Sequence, residues 1–360
     1  MSAGAARPLS LSAAATTIPD VVVERIRAGL AHGLESGIPF LNLPFSSPDI
    51  VALMRDVENR LRRILAVPDE YAVFFAQGGA YAHFALVALN LLADGQCGDY
   101  VESGLWAVRA AEEAAKMGPV SVIASGADDG YRSLPEPGRW RRSSNAAYCH
   151  VTSNESAHGL QFSDFPKGGE VPLVADMTGD FLTRPIDIGN FGLIYASAQK
   201  SLGAAGLTVL IARRDVLRSR AENIPAVFEY RRLAEMQSRV NTPPVMALYV
   251  ADEMLRWMED MGGLPELSHR RARRSRVLYE LLDASPLLRC RAEPGHRSNV
   301  AICFEVVDPD RHAGILHAAA AEGLHYLDGH PAVGGFRLAV HNGHTDKDIE
   351  RIVRFLESIK

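Results

Sequence analysis

The stretch FGLIYASAQKSLGAAGLTVLIA, residues 191–212, holds two strand-like apolar runs, FGLIYA (191–196) and LTVLIA (207–212). Between them lies a Gly/Ala-rich loop that carries a lysine, Lys200. Short continuous apolar runs bounded by small residues read as buried strands. The lysine is unusual for this chain, which has five lysines and thirty-three arginines. An arginine keeps its proton, whereas a lysine can lose one and become a nucleophilic amine. The rest of the sequence has to say why that amine sits just past a buried strand.

Working outward, strand-like runs alternate with helical patterns. AVFFA (72–76), VSVIA (120–124), AAYCHVT (146–152) and VPLVAD (171–176) read as strands. PDIVALMRDVENRLRRILAV (48–67) repeats apolar residues at helical spacing, with Ser47 as its cap and Pro48 in its first turn. QGGAYAHFALVALNLL (77–92) reads as a glycine turn entering a helix. This alternation predicts an α/β fold with a mostly parallel sheet covered on both faces. From about residue 260 the texture changes. An Arg-rich amphipathic helix, the run NVAICFEV (299–306), a helix near 310–322, FRLAV (336–340) and a last helix near 346–358 predict a smaller α+β domain.

Composition narrows the function classes. A chain of 360 residues that is 47% hydrophobic supports a large core, in two domains or one domain with a satellite. A net charge of -5 argues against a dedicated nucleic-acid binder. The run HRRARRSR (269–276) is a local exception, and its arginines are expected on the solvated face of a helix. Cys97, Cys149, Cys290 and Cys303 are far apart and show no metal-ligand spacing, which fits a reducing cytoplasm and no structural metal. No apolar run reaches the ~18–20 residues that span a bilayer. The N-terminal MSAGAARPLSLSAAATTIP lacks a basic region followed by a compact apolar one, and reads as a tail leading into the fold rather than a signal peptide.

An amine that holds the aldehyde cofactor pyridoxal phosphate needs three further things. They are an acid for the pyridine nitrogen, an aromatic face for the ring, and a phosphate cradle. Asp176, closing VPLVAD, offers the acid, although alone it reads as a turn or helix-capping aspartate. Trp106, in ESGLWAVRAAEEAAK, offers the face, although alone it reads as core. Gly78, Gly79 and Ala80, opening a helix, offer the cradle, although many glycine pairs are only turns. Ser156 and Thr242 add hydroxyl donors.

The ordered set resembles the phosphoserine aminotransferase family, the class V, fold-type I pyridoxal-phosphate enzymes. The likeness runs from about Leu9 to the C-terminus and is carried by AQKSLGAAGLT (198–208), ADMTGDFLTRPID (175–187), CHVTSNES (149–156), DYVESGLWA (99–107), NTPP (241–244) and GHPAVGGFR (329–337). The resemblance implies a large domain over residues 20–258 with a seven-stranded sheet between helices, a small domain over 259–360, and an N-terminal segment 1–19 packing on the small domain. It implies that Lys200 forms the Schiff base and shuttles the proton, that Asp176 pairs with the ring nitrogen and that Trp106 stacks. Ser156, Gln199, Gly79, Ala80 and Tyr81 fall at cofactor positions. Asn241 and Thr242 would reach the phosphate from a partner subunit, which implies a homodimer. Arg337 matches the arginine that takes the substrate α-carboxylate, a task suited to its planar fork.

The substrate pocket departs from the family pattern. Phe45 and Ser46 stand where the family has a His-Arg pair, and Tyr81 where it has an arginine. His330 and Pro331 stand at a second His-Arg pair, and Ala13-Ala14-Ala15 at a Ser-Gly-Pro. Each charge-assisted contact is worth roughly 1.5–3 kcal/mol, so losing several weakens a phosphorylated substrate by orders of magnitude. The expectation is a transaminase for a non-phosphorylated amino or keto acid. The alternatives are a phosphoserine:2-oxoglutarate enzyme whose pocket is rebuilt with arginines such as Arg109 or Arg184, a lyase, racemase or β-substitution enzyme on the same cofactor, and a non-catalytic cofactor-binding homologue.

Overall fold

The computed structural model of the chain describes residues 7–167, 169–217 and 224–359. Seven strands form one sheet: β1 (Tyr71–Gln77), β2 (Cys97–Glu102), β3 (Val120–Ser125), β4 (Ala146–Thr152), β5 (Leu173–Asp176), β6 (Leu193–Ser197) and β7 (Leu207–Arg213). Their spatial order is β1-β7-β6-β5-β4-β2-β3. β7 is antiparallel to both of its neighbours, and every other pair is parallel. The α/β fold with a mostly parallel sheet is therefore present.

The apolar runs are continuous because both faces of the sheet are covered. Along β6, Ile194 and Ala196 point into one core while Leu193 and Tyr195 point into the other. The first face packs against helix Pro48–Leu65 and helix Val245–Asp260. The second packs against α1 (Ala80–Leu91) and α2 (Leu105–Ala114). Helix Pro48–Leu65 starts as expected: Ser47 accepts from the Ile50 amide at 3.4 Å, and Pro48 occupies the first turn.

A second, three-stranded antiparallel sheet, β8 (Leu288–Cys290), β9 (Ala301–Val306) and β10 (Phe336–Ala339), carries a separate core. Helices His312–Ala321 and Asp346–Ser358 cover it, the latter opened by a Thr345–Asp348 capping box. Leu9 and Leu11 are buried in this core, and Leu9–Ser10 pairs with Leu324–His325. The same segment then reaches the lysine loop, where the Thr16 amide donates to the Gln199 carbonyl at 3.0 Å.

The long helix α3 (Gly263–Ala284) joins the two halves, giving Leu264 and Leu267 to the first core and Leu278 and Leu282 to the third. It also corrects the reading of HRRARRSR. Arg270 and Arg273 do face outward, paired with Glu266 at 2.6 Å and Asp346 at 2.8 Å. Arg271 and Arg274 are buried. Positions 264, 267, 271, 274 and 278 fall on one helical stripe, so two arginines occupy the core-facing side.

Candidate active site

The carboxyl ends of β1, β2, β4, β5 and β6 point the same way, as strands of a parallel sheet must, and their loops meet at one end of the sheet. There they enclose a cavity of about 380 Å³. Gly79, Ala80 and Tyr81 follow β1, Trp106 follows β2, Ser156 follows β4, Asp176 closes β5, and Gln199 and Lys200 follow β6; all line this cavity. His330 and Arg337 of the C-terminal part line it too, with Ala13 and Ala14 of the N-terminal segment. Twelve of the residues picked out from the sequence are thus brought together. Phe45, Ser46, Asn241 and Thr242 lie outside the cavity of their own chain. Phe45 is half-buried, the other three are exposed, and the Thr242 carbonyl accepts from the Gln77 side chain.

The electrostatics of the cavity suit an amine nucleophile. Burial pushes the Lys200 amine down to about 8, against the pull of Asp176 and helped by Arg337. Burial likewise raises the Asp176 carboxyl, although Thr178 opposes this through its amide at 2.9 Å from Oδ1. Asp176 stands beside Thr152 on β4 and Tyr195 on β6, so two strands fix its position.

Trp106 is held at several points. Its indole Nε1 donates to Ser156 Oγ at 3.1 Å, the Arg109 guanidinium lies 5.2 Å from the ring centroid, and His330 meets the ring edge-on at 5.5 Å. Its backbone is set by Glu155, which sequence reasoning passed over although it lies inside CHVTSNES. The Glu155 carboxylate accepts from the Trp106 and Ala107 amides, at 3.1 and 2.8 Å, and so caps α2. Gly104 makes room for it, since a Cβ there would lie 2.7 Å from the Glu155 carboxyl carbon.

Burial pushes the Glu155 carboxyl up to about 7, with those two amides opposing and Asp176 adding to the rise. A carboxyl raised in the folded state contributes stability that is full below its unfolded value, about 4.3, and is lost as pH climbs toward 7. Glu155→Gln keeps an accepting oxygen and removes the titration. The Tm of the variant relative to wild type should therefore rise steadily between about pH 5 and about pH 7.5. A flat difference across that range would contradict the assignment.

α1 has no side-chain cap at Gly79, so its first-turn amides are available at the cavity wall. Gly78, before it, has φ +98°, a backbone that a side chain would strain. Tyr81 does not turn its hydroxyl into the cavity: the hydroxyl donates to Glu113 at 3.4 Å, and the side chain is 51% exposed. Arg337 spends one Nη1 contact on the Ser156 carbonyl at 3.4 Å, and its Nε has no partner. Arg184 is committed elsewhere, to the Ser163 carbonyl at 2.6 Å and the Phe162 carbonyl, and does not line the cavity.

The comparisons agree with this geometry. The family model for aminotransferase class-V matches residues 9–352. The chain belongs to this family. Phosphoserine aminotransferase of Nitrosomonas europaea is 35% identical over 359 residues, 98% of either chain. The solved phosphoserine aminotransferase of Bacillus circulans subsp. alkalophilus superposes with a TM-score of 0.93 at 34% identity, covering 95% of both chains. The pyridoxal-phosphate-bound phosphoserine aminotransferase of Trichomonas vaginalis gives 0.92 at 28% identity, covering 98% of this chain and all of that one. The chain is a class-V, pyridoxal-phosphate-dependent aminotransferase of the phosphoserine aminotransferase type.

The residues present fit that cofactor. Thr152 Oγ1, both polar atoms of the Asn154 side chain and Arg337 Nε are buried without partners, and all belong to residues lining the cavity. Buried polar atoms are normally satisfied, so orphans gathered at one cavity mark a place for a polar ligand. Thr152 and Asn154, like Glu155, sit in CHVTSNES but were not singled out there. Bound pyridoxal phosphate supplies an aldehyde for an amine and a ring that accepts electrons from a substrate α-carbon.

Proposed function

We propose that this aminotransferase moves amino groups between non-phosphorylated amino and keto acids. One observation carries the reading. Among the described residues, the ionisable cations lining the cavity are Lys200, His330 and Arg337. With Lys200 given to the cofactor and Arg337 to an α-carboxylate, His330 remains for the substrate side chain, and burial lowers its proton affinity further. Tyr81, Phe84, Ala13 and Ala14 line the cavity as well. A phosphate dianion is ordinarily met by forked, charge-assisted contacts, each worth roughly 1.5–3 kcal/mol.

Under this reading Lys200 holds the cofactor and carries the proton from the substrate α-carbon. Asp176 accepts the hydrogen bond of the ring nitrogen. Trp106 covers one face of the ring. Ser156, Gln199 and the amides of Gly79, Ala80 and Tyr81 take the phosphate end. Asn241 and Thr242 of a second copy of the chain complete that end, and Phe45, Ser46, Tyr81 and His330 bound the side-chain pocket. Residues 20–258 serve as the cofactor-binding part and 259–360, with residues 7–19 of segment 1–19 against it, as the part that carries Arg337; residues 1–6 of that segment lie outside the described residues. Exposed apolar side chains beside these stretches, Leu41 and Met246, support a homodimer. Four cysteines outside any disulfide suit the cytoplasm.

The test is a panel of amino donors and keto acceptors offered to the holoenzyme. At least one non-phosphorylated pair should exceed O-phosphoserine with 2-oxoglutarate by ~100-fold in kcat/KM, the effect of about 2.7 kcal/mol. The reading fails if O-phosphoserine with 2-oxoglutarate ranks first. The second reading, a phosphoserine enzyme with a rebuilt pocket, is favoured by Arg109, whose charge acts on His330. Running the panel on Arg109→Met separates the two, since only a rebuilt pocket loses phosphoserine turnover selectively.

A further inference from the structure

Arg271, one of the two arginines on the core stripe of α3, is not used by the chemistry above. Arg271 is 4% exposed. Its Nε donates to the Val340 carbonyl at 3.4 Å and its Nη1 to the Thr183 carbonyl, while Nη2 has no partner. Its helix neighbours Arg273 and Arg274 share Asp346. Arg271 has no carboxylate within ion-pairing distance among the described residues; Asp180 acts on it from farther away. A buried guanidinium without a direct counter-charge is costly, and such groups are normally paired.

Arg271 lines a small compartment of about 20 Å³ behind Lys200, with the hydroxyl-bearing Thr16 and Ser201 on its walls. Lys200 borders both this compartment and the main cavity. Among the described residues no carboxylate lines it, and with Lys200 given to the cofactor Arg271 is its fixed cation. His341 is there too, but burial pushes it down to about 3, so it stays neutral. Asn342, whose buried Oδ1 has no partner, lines both this compartment and the larger groove on its other side.

We propose that this compartment binds one monatomic monovalent anion somewhat larger than a water, a halide, against Arg271 Nη2 and beside Lys200. The volume admits a single particle of about this size and excludes a carboxylate or phosphate. The charge decides between a water and such an ion. This inference stands apart from the identity of the amino substrate, because it concerns a group the transamination chemistry leaves unused.

Holoenzyme crystals grown without chloride and soaked in sodium bromide provide the direct test. An anomalous bromide peak is expected within about 3.5 Å of Arg271 Nη2. In solution, wild-type holoenzyme should gain ~2–4 °C in Tm in bromide over gluconate at equal ionic strength. Arg271→Met should lose that gain and Arg271→Lys should keep part of it. A light-atom peak at the site in bromide-soaked crystals, or equal responses of wild type and Arg271→Met, would overturn the proposal. Should the methionine variant fail to fold, the soak decides by itself.

Discussion

Lys200→Ala should lower transamination by at least ~10⁴-fold with every amino acid that the wild-type enzyme accepts. General acid–base catalysis alone is worth about 10²–10⁴, and the covalent role of the amine is lost with it. No neighbour can take over. Arg337 and Asp176 share the cavity, but a guanidinium cannot act as the amine and a carboxylate cannot condense with an aldehyde. Under the proposed roles Trp106, Asp176 and the cradle at Gly79 still bind the cofactor, so the loss should fall on kcat. Borohydride should fix cofactor to wild-type protein at position 200 and leave the variant unlabelled. Near-normal turnover, or label retained on another side chain, would remove Lys200 from its assigned role. Cellular function that survives the substitution unchanged would instead favour a binding role without catalysis.

The same residue gives a pH signature in the apoprotein. With its amine pushed down to about 8, Lys200 is neutral in part of the population at mildly alkaline pH. Capture of added cofactor should therefore accelerate as pH rises through about 8. Between that value and about 10.4 the unfolded chain binds more protons than the folded one, so apoprotein stability rises with pH over that window. A Lys200→Met apoprotein should lack the rise.

The sheet was legible because its strands are buried on both faces, which writes them as unbroken apolar runs such as FGLIYA and LTVLIA. Helix Pro48–Leu65 was legible for the opposite reason: one buried stripe, a serine cap and a proline in the first turn. Helix Val245–Asp260 offers neither signal, since it is buried around most of its circumference, Asp252 and Glu253 included, and so shows no stripe. Lys200, Asp176 and Trp106, which line one cavity, were picked out as an ordered set, since Asp176 alone reads as a turn or cap and Trp106 alone as core. Glu155 was missed because capping a helix 49 residues earlier in the chain leaves no local trace. Arg271 was misplaced because a charge run normally marks a solvated face, and no sequence rule says which of several arginines on a stripe turns inward. Tyr81 shows the limit in the other direction: it lines the cavity, yet the direction of its hydroxyl depends on Glu113, which lies on a different helix.

Asp176→Asn should cost ~10²–10³-fold in kcat/KM, within the span of about 2–5 kcal/mol for truncating one member of a buried charge pair. The substitution keeps the shape of the side chain and its acceptance from the Thr178 amide. What changes is the other end. A carboxylate accepts a hydrogen bond from a protonated ring nitrogen and holds that proton in place, whereas the asparagine amide offers a donor and favours the bare nitrogen. Under the proposed roles the ring would then withdraw electrons less well, and the α-proton would be harder for Lys200 to remove. Asp180 is the control. It is also buried, accepts from Gln161 at 2.9 Å and from Ser153, and does not line the cavity. Asp180→Asn should lower Tm while leaving kcat within ~3-fold. A cofactor analogue methylated on the ring nitrogen carries a fixed positive charge and needs no proton, so it should restore part of the activity of Asp176→Asn and none of that of Lys200→Ala. If the methylated cofactor binds Asp176→Asn and restores nothing, Asp176 acts on the lysine or on the loop around Thr178 rather than on the ring.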